Sequence, residues 1–137
     1  MVQTDNVEVV RRAIDAYNRG DYDSVEDLYA PDYVFDATNR GFGIFEGRAL
    51  ARKVGEAWVR TFDAFEMDLR EVSDLGAGVV FTVQLTRGRP SGTASYVEGL
   101  EAYVLVLEDG VISRTTNYSD IHEARAAAER LARERGG

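Results

Sequence analysis

The sequence predicts an α+β fold in which helices come first and a run of antiparallel strands follows. Three observations carry this. Apolar residues recur at helical spacing over 5–17 and again over 48–61. From residue 65 onward they alternate with polar ones. The breaks Gly76-Ala77-Gly78 and Asp109-Gly110 fall between consecutive alternating runs, and Asp-Gly is a strong hairpin signal. A sheet of such long strands must curl, and the three helices that precede it are expected to fill its concave side. Curling leaves a cavity between helices and sheet.

The first helix is expected over Asp5 to Tyr17, with Asp5 and Glu8 near capping-box spacing and Val7, Val10, Ile14 and Tyr17 on one apolar face. Asn18-Arg19-Gly20 stops it, and Asp21 is placed to start a second, short helix over Tyr22 to Tyr29. Pro31 is expected to end that helix and launch a strand over Tyr33 to Ala37. After a loop to Glu46, a third helix over Arg48 to Thr61 should turn Leu50, Val54, Ala57 and Trp58 inward. The rest reads as strand: the alternation of Phe65, Met67 and Leu69, then Val79 to Thr86, Ser95 to Leu107, and Val111 to Asp120. The tail from Ile121 reads as an alanine- and arginine-rich helix. No repeat or linker interrupts the chain, so residues 1–137 are expected to form a single domain, with 121–137 as its helical tail.

Composition bounds the function. The chain has 137 residues, 45% of them hydrophobic and 29% charged, an ordinary globular balance that can bury roughly two-thirds of the unfolded surface. With no cysteine there are no disulfides, thiol catalysis or cysteine–metal sites. A formal charge of −8 argues against a nucleic-acid partner, whose phosphates would be repelled. No leader or membrane-length apolar run is visible, so a cytoplasmic protein with no membrane partner is expected.

Familiar catalytic motifs are absent. The glycines of Gly41 to Gly47 have the wrong spacing for a dinucleotide loop, and no phosphate-binding loop or nucleophile elbow occurs. The single histidine, His122, is expected to be solvated or to cap the tail helix. No cofactor and no metal are expected.

One residue stands out. Alternation over Ser95 to Leu107 puts Val97, Gly99, Glu101, Tyr103 and Leu105 on one face, and both faces of this strand are largely apolar. Glu101 is an acid in mid-strand on a semi-apolar face. Desolvation there would raise its pKa and suit it to general acid, general base or oxyanion-donor work. Alternatively it pairs with an arginine or lies where the strand is exposed. The last strand carries a polar stripe, Ser113, Thr115, Asn117 and Ser119. If that stripe faces inward, Glu101, Tyr103, Thr115 and Asn117 form a polar patch in a cup lined by Tyr17, Phe35, Val54, Trp58, Met67, Phe81 and Val83. An apolar cup with a few converging polar groups is what a small-molecule site needs.

Three segments, in this order and spacing, carry a resemblance: NVEVVRRAIDAYNRGDYDSVEDLYAPDYVFDA, FEGRALARKVGEAW and LEDGVISRTTNYSDIHEA. Together they resemble the SnoaL-like branch of the nuclear transport factor 2-like superfamily over nearly the whole chain. The resemblance implies a cone-shaped curved antiparallel sheet wrapped around N-terminal helices. That fold hosts isomerases, cyclases, epoxide hydrolases, dehydratases and non-catalytic modules, so it does not assign a reaction. Carried over residue by residue, the ketosteroid isomerase pattern places its helix-one tyrosine at Ala13, its aspartate base at Ala37 and its second acid at Glu101. The acid-base aspartate of SnoaL-like polyketide cyclases falls at Asn117. The Asp-Arg-Asp set of limonene epoxide hydrolase meets Glu101 flanked by Gly99 and Tyr103, with Asn117 in place of the second acid.

These readings give an enzyme acting on a small apolar or amphipathic molecule, an isomerase, cyclase or hydrolase with Glu101 as acid or base and Tyr103 and Asn117 orienting a substrate oxygen. The alternatives are a non-catalytic binding protein using the same pocket, or a dimerisation module. A homodimer is expected through the outer sheet face, because Val80, Tyr96, Leu100, Val104, Val106, Ile112 and Tyr118 there are too apolar to leave wet; the resemblance also suggests it.

Overall fold

The computed structural model of the protein describes residues 5–136. Helix α1 spans Asn6–Arg19. Asp5 caps it, accepting from the Glu8 amide at 3.2 Å, and Gly20 ends it in the left-handed region at φ 69°. The second predicted helix is shorter and tighter than expected, a 3-10 helix over Asp23–Leu28. Asp21 accepts from the Ser24 amide at 3.3 Å, so the start signal is used, but six residues suffice for only two tight turns.

Pro31 does not launch the next strand; it lies inside it. Strand β1 spans Tyr29–Asp36 and runs parallel to the last strand, with a register jump between Tyr29 and Val34. The jump accommodates a residue that has no N–H to give a ladder. The following loop holds a one-turn 3-10 helix, Thr38–Arg40, and strand β2, Ile44–Glu46. Helix α2 spans Arg48–Arg60. Of the residues expected to turn inward, Val54, Ala57 and Trp58 do so, whereas Leu50 is exposed and its neighbour Ala51 is buried.

Strands β3 (Phe62–Gly76), β4 (Val79–Pro90), β5 (Val97–Glu108) and β6 (Val111–Tyr118) complete one sheet of order β2-β1-β6-β5-β4-β3. The β3–β4 ladder shifts register at three places, Phe62/Ala64, Leu69/Glu71 and Asp74/Gly76. Each extra residue bends the strand, and together they curl the sheet. The β5–β6 hairpin turns on Asp109 and Gly110, both at positive φ. The exposed edge of β3 is clasped by α1. Asn18 donates to the Met67 carbonyl and accepts from the Met67 amide, both at 2.8 Å, standing in for a neighbouring strand.

Both faces of β4 and β5 are covered, by different partners. On the concave side, Val9, Val10 and Ala13 of α1 meet Tyr33, Val80, Leu105, Leu107 and Ile112. On the convex side lies helix α3, Ile121–Gly136, whose Ala124 and Ala128 sit on Phe81, Val83, Ala102 and Val104. The small alanines let the helix come close. Arg125 fastens it, donating to both oxygens of Glu71 at 2.8 and 2.9 Å, with its guanidinium 4.6 Å from the Phe81 ring centroid. His122 is exposed in the first turn of α3.

This arrangement corrects the premise behind the expected homodimer. Val80 and Ile112 are not on the outer face at all; they are fully buried on the concave side. Val104 and Tyr118 belong to the cluster under α3, and Val106 is only 6% exposed within the single chain. Tyr96 and Leu100 stay exposed; the Arg87 guanidinium stacks 3.9 Å from the Tyr96 ring centroid, and Leu100 lies at the edge of the cavity described below. Helix α3 covers the outer face over Phe81, Val83, Ala102 and Val104, and of the residues expected there Tyr96 and Leu100 remain exposed. Among the described residues no helix is long and apolar enough to cross a membrane.

Two glycines separate backbone strain from steric clash. Gly78 and Gly92 both have φ 81°, but a Cβ on Gly78 would lie 2.3 Å from the Leu107 carbonyl oxygen, whereas one on Gly92 meets nothing within 4 Å. Gly92→Ala is expected to cost about 1 kcal/mol and Gly78→Ala about 3 kcal/mol, read from urea unfolding midpoints. Equal losses would mean that the close approach at Leu107 is not part of the fold.

Candidate functional site

The curl leaves a cavity of about 720 Å³ between the concave sheet face and helices α1 and α2. Strand register lays out its floor in rows. Phe45, Phe35, Thr115, Leu105 and Val80 are successive cross-strand partners; so are Asn117, Tyr103 and Thr82, and so are Glu101, Gln84 and Leu69. The inward stripe is therefore apolar at the narrow end and polar in mid-sheet.

Of the residues singled out from the sequence, Tyr17, Phe35, Val54, Trp58, Met67, Glu101, Tyr103, Thr115 and Asn117 all line this cavity. Ala13 and Ala37 line it too, as apolar wall. Phe81 and Val83 do not. They point to the convex side and pack beneath α3, because inward positions on β4 are the even-numbered Thr82, Gln84 and Thr86. Their hydrophobicity belongs to a second core, and the cavity is more polar at β4 than expected.

Glu101 is the centre of the polar patch. Its side chain is 13% exposed, and both oxygens are held: Arg40 Nη1 donates to Oε2 at 2.6 Å and Thr86 Oγ1 donates to Oε1 at 2.6 Å. Asn117 Nδ2 lies 3.5 Å from the same Oε2. The arginine-pair alternative is thus the geometry found, with its partner supplied by the loop after β1. Asn117 turns its amide nitrogen toward a carboxylate, which accepts only, so its Oδ1 faces elsewhere; that oxygen is buried and has no hydrogen-bond partner.

Arg40 is held at one remove from the sheet. The Asp36 carboxylate accepts from the Thr38 amide at 3.0 Å, the Thr38 hydroxyl at 2.7 Å and Arg114 Nη2 at 2.7 Å, pinning the turn that carries Arg40. Burial pushes the Asp36 carboxyl up, but the Thr38 and Arg114 donors outweigh it and hold it below the ordinary carboxylate range.

Four tyrosines close the deep end. Burial pushes the Tyr17 phenol up to about 12, aided by Tyr22 and Glu56. Burial likewise raises Tyr29, Tyr33 and Tyr103, the last also through the charge on Glu101. All four stay neutral at ordinary pH and can offer a hydroxyl proton to a ligand oxygen, but none can serve as a base.

The mouth is aromatic. Ring centroids follow one another at 6.5 Å (Phe42–Trp58), 5.3 Å (Trp58–Phe62) and 5.4 Å (Phe62–Phe65), and Phe35 stacks on Phe45 at 6.2 Å. Phe42, Trp58, Val97 and Leu100 are each about half exposed, yet all line the cavity. Among the described residues no group of His, Asp or Glu side chains is placed to hold a metal ion.

Sequence reasoning missed Arg40, Thr86 and Gln84. Arg40 sits in a loop that has no periodic signal. The sequence reading puts Phe81 and Val83 on the cavity face of β4, although the polar alternation Thr82, Gln84, Thr86 beside an apolar Phe81, Val83, Leu85 carries the information once two covered faces are allowed.

The sequence model described as the SnoaL-like domain matches residues 10–115, ending before α3. No curated protein matches the sequence. Among solved structures, the chain is similar to a Catenulispora acidiphila protein of ketosteroid isomerase-like fold, crystallised with trimethylamine (13% identity, 88% of this chain and 92% of that one, TM-score 0.73). It is similar to Bal32a, from a soil-derived mobile gene cassette (18% identity, 90% and 95%, TM-score 0.75). It is also similar to an M. tuberculosis LEH-like epoxide hydrolase (19% identity, 91% and 90%, TM-score 0.67). At these identities the likeness is one of fold.

The Asp36 clasp has a pH signature. A carboxyl held below its unfolded value contributes stability that is present above that value and lost as pH falls through the folded one. Asp36→Asn is expected to melt lower than wild type at pH 7, with the gap closing on acidification below about pH 4. A gap independent of pH between 7 and 3 would show that the ionised carboxylate is not what secures the loop.

Proposed function

The chain belongs to the SnoaL-like domain family, and on that premise we propose that it is an enzyme for a small, largely apolar molecule, with Glu101 moving the proton. The observation that carries this is the placement of one carboxylate, tethered on both oxygens, on the floor of a large aromatic-walled cavity. Such a carboxylate can take a proton from a carbon beside a carbonyl or from a water and return it later in the same cycle. Tyr103, a neutral phenol, and Asn117 would orient the substrate oxygen. The reaction is an isomerisation, cyclisation or hydrolysis. Epoxide opening is included by the likeness to the LEH-like hydrolase, with Asn117 rather than a second acid beside the attacking water.

The test is Glu101→Gln, assayed on a panel of epoxides and enolisable ketones of polycyclic or terpenoid size. Turnover is expected to fall by about 10²- to 10⁴-fold with little change in ligand affinity. Turnover that survives the substitution removes Glu101 from the chemistry.

A second reading, a binding protein without catalysis, draws on the same geometry seen differently. Both Glu101 oxygens are already satisfied by protein donors. On this reading a ligand raises the melting temperature through preferential binding to the folded state, and mass spectrometry finds it unchanged after long incubation.

A further inference from the structure

Arg40 and Glu101 do not form the pair that their charges alone would favour. Arginine and carboxylate bond most strongly fork to fork, through two parallel N–H donors. This chain builds that geometry elsewhere: Arg125 meets Glu71 through Nη1 and Nη2 at once. Arg40, by contrast, reaches Glu101 through Nη1 alone, because Thr86 occupies the other oxygen. A guanidinium carries five N–H donors, and among the described residues Glu101 is the single partner of the Arg40 side chain. Most of its donor capacity is uncommitted, on a side chain only 33% exposed.

Its setting gives that capacity a use. Among the described residues lining the cavity, Arg40 is the one lysine or arginine. Leaving those donors unpaired beneath an apolar ligand would cost affinity, whereas a ligand group that accepts from them would gain it.

We propose that Arg40 is a ligand-anchoring residue and that the molecule taken by this cavity is an apolar ring system bearing an acidic oxygen group: a carboxylate, a phenolate or the enolate of a dicarbonyl. The anionic oxygen accepts from the free edge of Arg40. The Asp36 clasp keeps the Arg40 turn in place for this contact. The inference rests on the cavity being the ligand site, as proposed above, but not on Glu101 being catalytic.

Two dyes of the same ring system isolate the charge. 8-Anilinonaphthalene-1-sulfonate carries an anionic group and N-phenyl-1-naphthylamine does not. Trp58, the single tryptophan of the chain, lines the cavity and reports binding there by energy transfer. Arg40→Gln is expected to weaken the sulfonate dye about tenfold or more, the range of a lost charge-assisted hydrogen bond, and to leave the neutral dye within about twofold. Glu101→Gln keeps Arg40 and removes its competitor, so the sulfonate dye should bind severalfold tighter while the neutral dye stays unchanged. If both dyes shift together in either variant, or the sulfonate dye ignores both substitutions, the anchoring role is overturned. Should Arg40→Gln fail to fold, the Glu101→Gln result decides alone, and unchanged sulfonate affinity there overturns it. Absence of saturable binding of either dye to wild type removes the cavity as a ligand site and this inference with it. Absence of turnover on any substrate leaves the dye result standing and counts against catalysis only.

Discussion

Everything in this molecule follows from two long strands, β4 and β5, that have to be covered on both faces. Alternation sends Leu105, Tyr103 and Glu101 of β5 one way and Ala102, Val104 and Val106 the other, and neither set can be left in water. A flat sheet would need two complete layers. The three register shifts in β3 give a curved one instead, so the concave side is closed by α1 and α2 at its narrow end and left hollow at its wide end. The convex side needs only one cover, and α3 supplies it with two alanines and an arginine clamp. The cavity is the geometrical remainder of covering a curved surface with straight helices.

Within that remainder, polar groups are arranged in tiers. Arg114 and Thr38 hold Asp36, the Asp36 turn carries Arg40, Arg40 reaches Glu101, and Glu101 shares its oxygens with Thr86 and Asn117. An ionised pair withdrawn from water is tolerable only when its remaining hydrogen-bonding positions are filled, and on the carboxylate side they are. The imbalance lies on the arginine, which is why the site reads as built for something polar on an otherwise greasy molecule.

The architecture was legible in the sequence because it rests on local signals. The Asp5 cap, the Gly20 stop, the Asp109-Gly110 turn and the period-two runs each act within a few residues. That Glu101 and Tyr103 share one face of their strand, and Thr115 and Asn117 one face of theirs, was legible for the same reason: parity within a strand is a local property, whereas the inward turn of those faces is not. What could not be read was which face of β4 met which layer. Phe81 and Val83 look like cavity wall until α3 is known to lie on the convex side. The role of Pro31 depended on a parallel partner more than 75 residues away, which no local pattern announces. Arg40 was invisible for a related reason: a one-turn helix in a loop has no period, and its importance lies entirely in a contact across 61 positions of sequence.

The half-exposed rim of Phe42, Trp58, Val97 and Leu100 has a thermodynamic consequence. These side chains are hydrated while the cavity is open, and a ligand reaching the Glu101 patch must pass and cover them. Water released from apolar surface lowers heat capacity. Association here should therefore become steadily more exothermic as temperature rises, whatever the balance of enthalpy and entropy at any single temperature. The slope of that change measures how much of the rim the bound molecule shields, which ties the calorimetry of this protein to the size of the body its ligand carries rather than to the group it presents to Arg40.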